Sequence, residues 1–135
     1  MPLPFQPPPG TIWMCDFNTG FKAPEMVKRR PVVVISPPPK HMTHLCTIVP
    51  LSTVVPVPVE PFHHLMDPRS LTGLHRTGES WAKCDMVYTI SLQRLNKVGG
   101  RRGPGRIQVL DDDLNAIREC VKIALGLDTP ATTAQ

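Results

Sequence analysis

The chain has 135 residues, 41% hydrophobic and 19% charged, which is ordinary for a globular protein and enough for one domain with a small core. A formal net charge of +4 favours anionic partners, and no apolar run approaches the roughly 20 residues of a membrane span. Four widely spaced cysteines without a Cys-x-x-Cys pair argue against a disulfide framework or a zinc site, so reduced thiols and a cytoplasmic protein are expected.

The opening Met-Pro-Leu-Pro-Phe-Gln lacks the basic and apolar regions of a signal peptide, and residues 1–9 read as an extended, loosely held Pro-rich arm. Thr11 to Phe17 predicts a strand with Trp13, Cys15 and Phe17 toward the core, and Ile12, Met14 and Asp16 on the other side. Residues 18–30 form a long loop, the kind that in a compact domain is functional or disordered. Pro31 to Ser36 follows; its β-branched run Val32, Val33, Val34 and Ile35 predicts burial on both faces at the sheet centre.

Pro37 to Pro39 ends that strand, because proline has no backbone donor. Leu45 to Leu51 makes the next strand, a weaker extended piece runs from Val54 to about Met66, and residues 67–79 are turn-rich. Ser80 to Ser91 holds one or two strands around Trp81 and Val87 to Ile90. Beyond a Gly/Arg loop at 99–106, Ile107 to Leu110 predicts a short last strand. Asp111 or Asp112 then caps a helix reaching about Leu125, with Leu114, Ile117, Val121 and Leu125 as its apolar stripe and Gly126 as its stop. Many short strands followed by one helix predict a mainly β domain, a small barrel or bent sheet closed by the helix. The five histidines offer no metal site: His63 and His64 are adjacent and face opposite ways in a strand, His41 and His44 lack a neighbouring carboxylate, and nothing singles out His75.

Four strings in order carry a family resemblance. Gly10 to Phe17 (GTIWMCDF), Arg30 to Ser36 (RPVVVIS), Val49 to Thr53 (VPLST) and Lys83-Cys84-Asp85 followed by Thr89-Ile90 resemble the strand motifs of PemK/MazF toxins, and Arg94-Leu95 continues the last. The resemblance spans about residues 10 to 127, which sets a toxin domain at 10–127 between the arm and a flexible tail at 128–135. It implies an SH3-like barrel with a C-terminal helix, a homodimer, an antitoxin partner and single-stranded RNA as substrate. The implied activity is an endoribonuclease that needs no metal or other cofactor and cuts by attack of the 2′-OH.

Such a reaction needs a base for the 2′-OH proton, an acid for the leaving 5′-oxygen, and cations around the phosphate. The resemblance assigns Arg30 to the phosphate, where a guanidinium fork suits the charge better than an ammonium. It suggests Asp85 as base and Lys83 as acid, two residues apart and so on one face of a strand. Ser52 stands where many relatives carry threonine, and Glu25 matches an acidic residue of the first loop, preceded here by Pro24 where some relatives have histidine. Lys28, Arg29, Arg101 and Arg102, together with Arg106 and Thr53, are the candidate RNA contacts. Without the motif, Arg30 reads as a strand-end surface residue and Lys83/Asp85 as a surface ion pair. Two alternatives stay open on the same fold: a gyrase-poisoning protein like the CcdB toxins, which the absence of tryptophan from the last helix disfavours, and a binder of RNA or antitoxin that does not cut.

Overall fold

The computed structural model describes residues 3–74 and 78–127; the readings of His75 and of the tail at 128–135 lie outside these. Eight strands precede one helix: β1 Thr11–Cys15, β2 Arg30–Val34, β3 Leu45–Ser52, β4 His63–Leu65, β5 Trp81–Lys83, β6 Tyr88–Ser91, β7 Leu95–Asn96, β8 Ile107–Gln108 and α1 Asp111–Ala124. All pairings are antiparallel, in the order β4-β5-β3-β2-β1-β7, with β6 on the first half of β3 and β8 on the first half of β1. No pairing joins the two ends of this order among the described residues, so the sheet is open where a closed barrel was expected.

The Val32-Val33-Val34 run lies at the centre, as its composition predicts, and divides the core in two. Val33 joins Ile12, Val49, Leu51, Ala82, Leu114 and Ile117 on the helix side. Val32 and Val34 join Trp13, Cys15, Phe17, Ile48 and Leu95 on the other. Ile12 is therefore fully buried, contrary to the one-sided reading of β1, because the helix covers the face it points to. The Pro-rich arm is likewise not loose: Leu3 is buried in the second cluster and Phe5 stands edge-on to Trp13, with ring centroids 5.8 Å apart. Burying such apolar side chains outweighs the entropy of holding a chain that its prolines already restrict.

Other elements depart from expectation at their ends. Leu110, not an aspartate, is the N-cap residue of α1, which places Asp111, Asp112 and Asp113 inside the first turn, where the helix dipole favours them. Leu114 and Ile117 are buried and contribute about 1.5–3 kcal/mol each, whereas Leu125 lies at the C-cap and is exposed. Gly126, at φ 72°, stops the helix as its type predicts. The 54–66 piece yields only β4, and a 3₁₀ helix, Pro68–Leu74, occupies part of the turn-rich stretch. In the Gly/Arg loop, Gly103 lies so close to Val98 that a Cβ there would overlap its carbonyl.

Asp113 ties the helix to the sheet. Its buried carboxylate accepts from His64 Nε2 at 2.8 Å, from Ser70 Oγ, and from the Asp67 backbone N–H at 3.2 Å. Ser70 Oγ in turn accepts from the Leu110 N–H at 2.9 Å, so the helix start, the 3₁₀ helix and β4 share one polar knot. Asp113→Ala strands these donors in a buried setting and is expected to cost on the order of 3 kcal/mol, read as a lowered urea midpoint with an unchanged slope.

Candidate active site

Strand register places Arg30, Ser52 and Lys83 on the sheet face away from α1. Arg30 pairs with Cys15, and continuing the β2–β3 register two residues past Val32↔Pro50 sets Arg30 opposite Ser52. Ser52 pairs with Trp81, and Trp81 with Leu65, completing one cross-strand row. The next row over carries Lys83 opposite His63. Residues directly opposite share a face, with Cβ atoms about 4.5–5.5 Å apart. His64, one step along β4, faces the other way toward Asp113, so the two adjacent histidines do serve opposite faces.

Beside these rows opens a pocket of about 560 Å³, lined among others by Glu25, His63, Lys83, Asp85 and Tyr88. It gathers both predicted carboxylates and the predicted acid. Their geometry differs from expectation in one respect: β5 stops at Lys83, and Asp85 lies in the turn that follows, where the Met86 N–H donates to the Lys83 carbonyl at 2.9 Å. Asp85 therefore reaches the pocket from a turn, not by strand alternation. Among the described residues the two form no ion pair with each other.

The remaining predicted residues are placed as follows. Arg30 is half-buried, and its Nε is a buried donor with no hydrogen-bond partner; Trp81 Nε1, in the same row, is another. Buried donors are almost always paired, so two in one row, without a partner among the described residues, set this row apart from the rest of the sheet. Ser52 is buried and its Oγ accepts from the Val54 N–H at 3.1 Å, which shapes the turn after β3 and leaves the O–H to donate. Glu25 Oε1 accepts from the Lys22 N–H at 2.7 Å, steadying its own loop. Lys28, Thr53, Arg102 and Arg106 are exposed. Arg29 and Arg101 line a second cleft of about 950 Å³ with Lys97 and the arm residues Leu3 and Phe5, and the Arg106 guanidinium lies 5.9 Å from the Phe5 ring centre.

Two residues with positioning roles were not among the site candidates, although Arg94 belongs to the last motif. Tyr88 Oη accepts from the Met26 N–H at 3.2 Å and its ring packs on Phe17 and Phe21, which holds the Glu25 loop against the pocket. Arg94 donates from one nitrogen to the carbonyls of Asp16 and Thr19, both at 2.9 Å, and lies 4.6 Å from the Phe21 ring centre. The thiols are not candidates for nucleophilic chemistry. Burial pushes Cys15 up to about 12 and Cys46 to about 11, and raises Cys84 and Cys120 as well.

Residues 8–125 match the family model of PemK-like, MazF-like toxins of type II toxin–antitoxin systems. The chain belongs to this family. Among solved structures it is similar to a mycobacterial endoribonuclease in complex with its cognate antitoxin, at 22% identity and a TM-score of 0.64 over 93% of this chain and all of that one. MazF from Deinococcus radiodurans matches at 19% identity and TM-score 0.65 over 90% of this chain and 98% of the other. The Mycobacterium tuberculosis toxin MazF-mt6 matches at 20% identity and TM-score 0.58 over 87% and 98%. At these identities the likeness speaks to the fold. Among curated proteins no match is found.

Tyr88→Phe removes the acceptor for the Met26 N–H and little else. Faster amide exchange at Met26 and its loop neighbours, with a stability loss of about 1 kcal/mol, is the expected result.

Proposed function

We propose that this chain is the toxin of a toxin–antitoxin pair and an endoribonuclease that cuts single-stranded RNA without a metal. The observation that carries the reading is a half-buried Arg30, whose Nε has no partner among the described residues, next to a pocket that holds Asp85, Glu25 and Lys83. A cation awaiting an anion, beside a carboxylate and an ammonium, is the set that phosphodiester transesterification needs.

Asp85, exposed and free of ion pairing among the described residues, takes the 2′-OH proton as O2′ attacks phosphorus. Arg30 stabilises the charge that builds on the non-bridging oxygens, and the Ser52 hydroxyl donates beside it. The bond to the 5′-oxygen breaks as Lys83 supplies its proton. The products are a 2′,3′-cyclic phosphate and a 5′-OH end. Glu25 walls the pocket and keeps its loop in place. Lys28, Arg29, Arg101 and Arg102 contact phosphates farther along the strand, which makes binding salt-sensitive and largely blind to sequence. The reading includes a homodimer, a cytoplasmic location and inhibition by a cognate antitoxin, in line with the antitoxin seen on the mycobacterial structure. Among the described residues no helix is long and apolar enough to cross a membrane.

The test is incubation of a long unstructured RNA in EDTA with wild-type protein and with Arg30→Ala. Discrete fragments ending in 5′-OH are expected from the wild type, with a rate on the order of 100- to 1,000-fold lower in the variant. Intact RNA with folded wild-type protein contradicts the enzyme reading and favours a binding role.

A further inference from the structure

His63 lines the pocket, and the proposed chemistry leaves its imidazole unused. It stands opposite Lys83 across the β4–β5 pair, so both side chains project from the same sheet face into the space that holds Asp85 and Glu25. Its ring is fixed twice. The Glu60 backbone N–H donates to its Nδ1 at 2.9 Å, and the Phe62 ring stands edge-on to it with centroids 4.7 Å apart. The Glu60 bond occupies the Nδ1 lone pair, and a neutral imidazole then carries its hydrogen on Nε2. Among the described residues Nε2 has no hydrogen-bond partner.

A strand-borne ring with one nitrogen tied to the backbone, and the other presented as an N–H donor beside a lysine, is a preorganised electrophile. Such a donor needs no reorganisation when charge develops on a nearby oxygen, and a neutral imidazole can serve in this way. We propose that His63 is a further catalytic residue of this site. Its Nε2–H donates to a non-bridging oxygen of the scissile phosphate, while Lys83 opposite it serves the leaving oxygen. The proposal rests on the ribonuclease reading and adds a second donor to Arg30. His63 exchanges no proton with the substrate, so the transesterification balances as written above.

The test compares His63→Phe, which keeps an aromatic ring but no donor, with His63→Gln, whose side-chain amide nitrogen can occupy the place of Nε2. RNA cleavage in EDTA by folded protein is expected to fall on the order of 100-fold in the Phe variant. The Gln variant is expected to recover most of that loss, which a merely structural role for the ring would not produce. Wild-type cleavage that Arg30→Ala abolishes and His63→Phe leaves intact overturns the proposal alone. Wild-type protein that leaves RNA whole overturns the ribonuclease reading beneath it. Should the variants not fold, long-range ¹H–¹⁵N correlation on the wild-type His63 ring decides the matter. An Nε2–H tautomer is expected, and an Nδ1–H tautomer overturns the proposal.

Discussion

The register of β2 between β1 and β3 is the constraint on which the rest of the molecule depends. A three-valine run buried on both faces could by itself slide along its neighbours, since every position is equally apolar. Its ends prevent this. Gly10 N–H donates to the Val34 carbonyl at 2.7 Å, Ile35 N–H to the Thr47 carbonyl at 3.0 Å, and Thr47 N–H to Ser36 Oγ at 3.0 Å. Pro31 and Pro50, inside the ladder, exclude every register that would require their missing donors. A slip of one residue would carry Arg30 to the helix side of the sheet and dismantle the row it shares with Ser52 and Trp81.

The two faces so defined do different work. Toward α1, Asp113 collects His64, Ser70 and Asp67, and the helix is held by Leu114 and Ile117. Away from α1, Arg30 Nε and Trp81 Nε1 are buried without partners among the described residues, and Asp85 and Lys83 share a pocket without pairing among them. Leaving buried donors unsatisfied costs about 1–3 kcal/mol each, a cost the apolar second cluster must offset. Of these, Arg30, Asp85 and Lys83 are the side chains that the proposed phosphodiester chemistry uses. The aromatic group of Phe17, Phe21 and Tyr88, with Arg94 behind it, packs the Glu25 loop against the pocket wall.

How much of this could be read in the residues follows from the range of each interaction. The central strand and the helix were legible because a β-branched run and a 3-4-4 apolar spacing are local patterns. Arg30, Lys83 and Asp85 stand out as candidates through strings that resemble a known family, and the structure brings the last two into one pocket. The route by which Asp85 gets there was not, because where β5 ends depends on its short pairing with β3 and β4. His63 and Tyr88 were illegible for the same reason: one owes its position to a strand pair 20 residues apart, the other to a bond with Met26 across 62. The open sheet and the two-residue β7 also rest on long-range pairing. The packed arm was missed because proline content suggests mobility, while Leu3 and Phe5, the residues that dock, carry no periodic signal.

On the proposed reading, the face away from the helix directs the RNA's own 2′-hydroxyl at the adjacent phosphate. A single-stranded oligonucleotide with one mapped cleavage site tests this most directly, by replacing only the ribose 5′ to the scissile phosphate with 2′-deoxyribose. Loss of cleavage at that bond, with neighbouring all-ribose control sites still cut, is the result predicted. Cleavage of the deoxy-substituted bond at an undiminished rate would rule out 2′-hydroxyl attack, because the nucleophile would then have to come from elsewhere.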